Sequence, residues 1–304
     1  MNKTISNIAI ERRRYWIEEI SKLSGDFGAD TARLEKKLEE EVLKSGKVAL
    51  IDHLRLCGNI PECYGHDTSE EKLYSKYTDY LLSFSFNALG FKSWVLKERT
   101  DAADVEVFAE NYSFVVDAKS FRLSRTAKNQ KDFKIQALDN WKRGKPYAMV
   151  VCPIYQLPSN SSQIYQQAIV RNVCIFTYSH LILLLNFAET ESKEKIQQLL
   201  EKIFQTITAL NPSKNATDYW LAINKTMLSF SRKIEPLWND EKEASMEVIS
   251  FAKEEALYFL AQEREQIMQM NHQEALQELI KIRKIENKIK AINTISDNRL
   301  LYLQ

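Results

Sequence analysis

The sequence predicts an α/β protein: a mixed β-sheet core flanked by helices, with helical N- and C-terminal regions. Three observations carry that reading. Only seven Gly and six Pro occur in 304 residues, which leaves room for few tight turns. The apolar period is helical up to Gly90, becomes that of strands over roughly 90–180, and is helical again afterwards. Strand-like runs after Asp117 alternate with helical runs, which calls for parallel crossovers, whereas a short hairpin precedes Asp117.

Taken in order, residues 6–24 set Ile8, Ile10, Tyr15, Ile17 and Ile20 among charged residues, the pattern of an amphipathic helix. Residues 30–44 repeat it with Leu34, Leu38 and Leu43 on one stripe, and Gly46 ends that helix. An apolar helix over 48–56 stops at Gly58, with Pro61 beyond it. Asp67 or Ser69 is placed to cap the next helix, and Glu70 and Glu71 complement its dipole. Its stripe is Leu73, Tyr77, Leu81, Phe84 and Ala88, closed by Gly90.

Residues 94–96 then read as a strand, 97–101 as a charged turn, and 105–108 as an alternating strand. A turn at Glu110 and Asn111 returns the chain along 114–116. Phe133, Ala137, Leu138 and Trp141 share a helix face, followed by strand 147–151, helix 164–170 and strand 173–178. The remainder is helical over 196–210, 217–232 and 241–295, with a capping box at Asn271 and Glu274. One domain over 1–304 is expected: a helical region 1–66, an α/β core 67–186 and a helical region 187–304.

Composition narrows the class. No apolar run reaches the ~18 residues of a membrane span, the longest window being 180–187, and no apolar signal core opens the sequence. A cytoplasmic protein with four reduced cysteines is the expectation. The net charge of +1 is uninformative, but its distribution is not. Between Lys119 and Lys145 nine basic residues face only Asp132 and Asp139, a local excess that attracts phosphates.

Two clusters invite chemistry. His53, Cys57, Cys63 and His66 are zinc-competent residue types, but their spacing lacks the closely paired cysteines of zinc modules. A helix end with small buried hydrophobes accounts for them better. The second cluster is in the stretch 114–133, FVVDAKSFRLSRTAKNQKDF. Asp117 and Lys119 leave the end of an apolar strand on one side of the sheet, and Asp104 lies one hairpin earlier, toward the same end. Two carboxylates at one point suit Mg²⁺, a hard ion with oxygen ligands, and an adjacent ammonium orients water and offsets charge. Other Asp-x-Lys triplets, at Asp132 and Asp240, sit in helical contexts and lack this placement.

The segment that follows carries Arg122, Ser124, Arg125, Lys128, Asn129, Gln130, Lys131 and Lys134. Arg125, Lys128, Asn129 and Gln130 are side chains able to pair with base edges. Arg122, Lys131 and Lys134 are read as phosphate contacts. A solvated basic helix face is the plainer alternative, and proximity to the carboxylates favours DNA.

Asp104, Asp117 and Lys119 resemble the motif of the PD-(D/E)XK nuclease superfamily. The run VDAKSFRLSRTAKNQKDFK at 116–134 is similar, nearly residue for residue, to the HindIII-type type II restriction endonucleases. AADV at 102–105 and EEKLYSK at 70–76 share the likeness. Ala103 stands where the superfamily pattern has proline, a backbone preference and not a ligand. The resemblance implies a restriction-endonuclease-like fold in a bacterial cytoplasm. It also implies a homodimer that cuts both strands of AAGCTT to leave 5′-phosphate ends, accompanied by a cognate DNA methyltransferase that is not a stable partner. Asp104, Asp117 and the Ala118 carbonyl would then hold Mg²⁺, Lys119 would position the attacking water, and Glu71 would be an additional carboxylate. The competing readings are a structure-specific repair or junction nuclease of the same fold, and a non-catalytic DNA-binding protein.

Overall fold

In a computed structural model of the chain, residues 5–97, 102–125 and 130–294 are described, without the side chains of Gln130, Lys131 and Ala291. They fall into two compact units, Met1–Ala256 and Leu257–Gln304.

The first unit is built on a five-stranded sheet in the order β1 (Lys92–Val95), β2 (Val105–Phe108), β3 (Ser113–Ala118), β4 (Tyr147–Cys152) and β5 (Val173–Thr177). The first three strands are antiparallel neighbours, and β3–β4 and β4–β5 pair in parallel. The mixed sheet is therefore the expected one. Strands β4 and β5 are buried along nearly their whole length. Their apolar runs do not alternate because helices cover both faces.

Helices α1 (Asn7–Ser21), α2 (Phe27–Leu56) and α3 (Ser69–Ala88) come before the sheet. The two helices expected over 30–44 and 48–56 form as the two halves of α2, separated by a kink at Gly46 (φ 62°, ψ −149°). A positive φ costs glycine little, so the kink falls there. The cap of α3 is Thr68, not Asp67 or Ser69. Its extended backbone lets its hydroxyl accept from the Glu71 N–H, whereas Asp67 sits at φ 60° and Ser69 is already helical. Leu73, Tyr77 and Leu81 are buried as their spacing predicts.

Beyond β3, α4 (Gln130–Phe133) and α5 (Ile135–Trp141) meet at Lys134, whose φ is 47°. Helix α6 (Gln163–Val170) forms the crossover from β4 to β5. Helix α7 (Tyr178–Phe187) follows β5 directly, capped by the Thr177 hydroxyl, which accepts from the His180 N–H. The apolar window 180–187 lies in this largely buried helix. Helices α8 (Lys193–Thr208) and α9 (Ala216–Phe230) follow. The Phe204 ring lies flat on Tyr147 at 4.6 Å, which seals the sheet end away from Asp117.

Helix α10 (Ile234–Gln269) begins in the first unit. In the second unit its end is followed by α11 (His272–Ile282) and α12 (Ile285–Asn293). The capping box at Asn271 and Glu274 forms as the sequence predicts. No residue of α11 is buried, and Leu276, Leu279, Ile280, Ile289 and Ile292 are exposed at helical spacing. Among the described residues no helix is long and apolar enough to cross a membrane.

Candidate active site

The register of the β2–β3 hairpin pairs Val105 with Val116, so the next step outward sets Asp104 opposite Asp117. The Ala118 N–H donates to Asp104 Oδ2 at 3.3 Å, which ties the two strand ends together. Two residues along β3, the Lys119 ammonium forms an ion pair with Asp117 Oδ2. Both partners are shielded, with side-chain exposures of 12% and 2%. Asp117 Oδ2 has no solvent contact, and its partner is the Lys119 ammonium.

Two further residues of this cluster were missed by the sequence reading. Asp79, on the face of α3 against the sheet, is 2% exposed and pairs with Lys76 Nζ at 2.9 Å. Burial, partly offset by Lys76, pushes its carboxyl up to about 6, and the charge of Asp117 pushes the same way. Asp104 is raised well above the usual carboxylate range, by burial first and then by the charges of Asp79 and Asp117. For Lys119, burial pulls its pKa down but is outweighed by Asp117 and Asp104, which hold the ammonium above its ordinary value. Lys76 is held up in the same way, against burial, by Asp79, Asp104 and Asp117. Three carboxylates and two ammoniums thus share one field. Asp79 and Lys76 gave no signal because an i,i+3 Lys/Asp pair on a helix reads as an ordinary solvated contact.

The backbone at Lys119 is fixed on several sides. Its N–H donates to the Val151 carbonyl at 2.8 Å, and its carbonyl accepts from the Tyr178 hydroxyl at 3.1 Å. Ser120 Oγ donates to the Cys57 carbonyl at 2.8 Å. Phe121 bridges the 58–60 segment, donating to Gly58 O at 3.0 Å and accepting from Ile60 N at 3.2 Å. That segment is itself gripped by the buried Arg13 guanidinium, which donates to the carbonyls of Leu56 and Asn59 and pairs with Glu255. The carboxylate–ammonium arrangement is therefore preorganised by main-chain bonds.

Glu71 sits at the start of α3 as expected, but its partners are the Arg122 guanidinium at 3.2 Å, the Asp67 N–H and His66. It belongs to the root of the basic segment, and the carboxylate beside Asp104 and Asp117 is Asp79. Arg122 also donates to the carbonyls of Tyr64 and Gly65, at 2.9 and 2.7 Å, so its guanidinium is spent largely within the protein. Ser124 bonds Glu62 through both its N–H and hydroxyl. Arg125, half exposed, pairs with Asp132 at 3.1 Å. Lys134 is exposed, with its ammonium 5.6 Å above the Trp141 ring. Lys128 and Asn129 lie outside the described residues, as do the side chains of Gln130 and Lys131.

The His53, Cys57, Cys63 and His66 group does not assemble into a zinc centre. His53 is buried between Tyr77 and Glu41, Cys57 donates to the Leu54 carbonyl, and His66 is exposed beside Glu71. Cys63 is exposed, contrary to the expectation that both cysteines are core. His66, Asp67 and Glu71 approach one another closely, but with Arg122 already paired to Glu71.

As a donor set, the cluster on β2, β3 and α3 offers carboxylate oxygens and no soft ligand, the chemistry of a hard divalent cation. Comparison with known proteins accords with this. The sequence matches the family described as HindIII restriction endonuclease over residues 13–296. It is also similar to the type II restriction enzyme HindIII of Haemophilus influenzae, with 32% identity over 275 residues, covering 86% of this chain and 90% of that protein.

Proposed function

Because this chain belongs to the HindIII restriction endonuclease family and is a type II site-specific deoxyribonuclease, we propose that it cuts both strands of the palindrome AAGCTT, leaving 5′-phosphate ends. DNA is its substrate, and type II restriction enzymes generally work with a divalent metal. The ion proposed here is Mg²⁺, held by Asp104, Asp117 and the Ala118 carbonyl. When bound, it supplies charge stabilisation at the phosphate and acidifies a coordinated water.

The chain's own residues carry the rest. Lys119, fixed through both sides of its peptide, directs its ammonium at the carboxylates, where it positions the attacking water in line with the scissile bond and offsets developing charge. Glu71 is assigned to orienting Arg122 and so the base of the reading segment. Ser124, Arg125, Lys128, Asn129, Gln130, Lys131 and Lys134 are assigned to DNA. Arg125, Lys128, Asn129 and Gln130 read bases, and Lys131 and Lys134 meet phosphates.

One carboxylate cluster per chain and two strands to cut favour a homodimer, and the exposed apolar edges of α11 and α12 are the surface offered for it. We place the whole of 1–304 in one functional domain around the core 67–186, acting in a bacterial cytoplasm beside a separate methyltransferase.

The observation that carries this proposal is the meeting of Asp104, Asp117 and Lys119 at the strand ends from which the basic segment departs. The test is incubation of the protein with Mg²⁺ and duplexes that do or do not contain AAGCTT. Cleavage confined to the AAGCTT duplex, and lost in Asp117→Ala, is expected. Cleavage governed by DNA structure and indifferent to sequence would replace the specificity with that of a repair nuclease.

A further inference from the structure

We propose that Lys76 is an exchangeable counter-ion of the metal site: it neutralises Asp79 while the site lacks a cation and yields that carboxylate when a divalent ion enters. The proposal rests on the reading that the carboxylate cluster binds a divalent ion. Its starting point is the pairing of the ammoniums: among the described residues Lys76 Nζ holds Asp79 at 2.9 Å and Lys119 pairs with Asp117. A divalent ion needs carboxylate oxygens that these ammoniums now occupy, so one of the ammoniums has to give way to it.

The two lysines differ in their freedom to do so. Lys119 is held at its peptide N–H and carbonyl, and its side chain is 12% exposed. Lys76 stands on α3 one turn from Asp79 and is 29% exposed, so its flexible stem can swing its ammonium into water without disturbing the fold. Asp79 is the inverse: its side chain is 4% exposed and cannot follow the lysine out. An ordinary i,i+3 pair would have both ends solvated, and would contribute little. Here one end faces the catalytic carboxylates. With Lys76 withdrawn, the Asp79 carboxylate is released on the same side as Asp104 and Asp117, free to accept from the ion's water.

The test is Mn²⁺ binding to the metal-free full-length protein, followed by the electron paramagnetic resonance signal of free Mn²⁺, with circular dichroism to verify folding. Lys76→Gln removes the competing charge and is expected to tighten Mn²⁺ by about fivefold, whereas Lys76→Arg restores near wild-type affinity. Asp79→Asn is expected to weaken binding about tenfold. Unchanged or weaker binding in Lys76→Gln would overturn the counter-ion role, and unchanged binding in Asp79→Asn would remove Asp79 from the site. Asp117→Asn serves as the separate control. If it leaves Mn²⁺ affinity untouched, the underlying metal-site reading fails, whatever the Lys76 variants do.

Discussion

Replacing Lys119 by methionine tests the electrostatics of the site without requiring DNA. The side chain volume is nearly kept, so the change is chiefly the loss of one ammonium facing Asp117 and Asp104. Breaking a buried ion pair by removing one partner costs about 3–5 kcal/mol, because the remaining charge is stranded. Solvent relieves little of this, since Asp117 is 2% exposed. Lys76 stays in the field of the same carboxylates and trims the cost toward about 3 kcal/mol. At about 2–4 °C per kcal/mol, the unfolding midpoint should fall by about 6–12 °C in chelator near neutral pH.

The pH dependence has a definite sign. Asp104 already has a raised pKa in the folded protein, and loss of Lys119 raises it further. A raised carboxyl disfavours the fold above its unfolded pKa, so the variant's deficit should be largest at pH ~8 and shrink toward pH ~5 as the carboxyls take up protons. Calcium should restore much of the lost stability at the higher pH by replacing the missing cation. Urea titrations at both pH values, with and without Ca²⁺, read all of this. A deficit below about 1 kcal/mol, or one equal at both pH values, would refute the argument that the Lys119 ammonium compensates buried carboxylates.

Other perturbations address separate parts of the molecule. His180 is buried between Phe176 and Trp220, accepts from the Thr177 hydroxyl and pairs with Asn224, and burial lowers its pKa to about 4. Its neutral form therefore stabilises the fold above pH ~6.5, and that contribution, about 3 kcal/mol, is lost as pH falls toward 4; His180→Gln should flatten the acid limb of a urea-midpoint profile by that amount. Arg122→Ala should lower stability by about 1–3 kcal/mol, since its bonds run to Glu71, Tyr64 and Gly65. Arg125→Ala should instead leave thermal stability unchanged and reduce the salt dependence of DNA binding by about one charge. Tyr178→Phe should slow single-turnover cleavage by about tenfold with little effect on DNA affinity, as it frees the Lys119 carbonyl. Under the proposed dimerisation through α11 and α12, Leu279→Glu with Ile289→Glu should sediment as a monomer where the unaltered chain sediments as a dimer, while chemical denaturation of the α/β core is unaffected.

What could be read from the residues followed their periodicity. The alternation of 105–108 and the helical stripe of Leu73, Tyr77 and Leu81 are direct imprints of which face is buried, and both elements form where those imprints lie. Helix α7 left no such imprint. It is buried on nearly all sides, so 181–185 is apolar at every position and carries no period. The break at Gly46 was legible because glycine takes a positive φ at little cost, and α2 is kinked there. At the site, Asp104, Asp117 and Lys119 were legible because a charged residue at the end of an apolar strand conflicts with its surroundings. Asp79 conflicts with its surroundings just as much, yet only the packing of α3 on the sheet makes that evident. Arg122 was legible only in part: a basic residue in a basic run suggests a phosphate, while within the chain its guanidinium meets the Glu71 carboxylate and two carbonyls of a distant segment.

The bonds that fix Lys119 leave only Ser120 and Phe121 between it and Arg122, where the reading segment begins. No linker separates the residues assigned to catalysis from those assigned to recognition. A lineage carrying such a chain cannot acquire a new target by exchanging a recombinable cassette, because any cut point falls within a few peptide bonds of Lys119. Its specificity can drift only by point substitutions, each of which must leave Lys119 and its backbone bonds in place. Diversification should therefore be slow, and distant relatives should retain this stretch after their terminal helices have diverged.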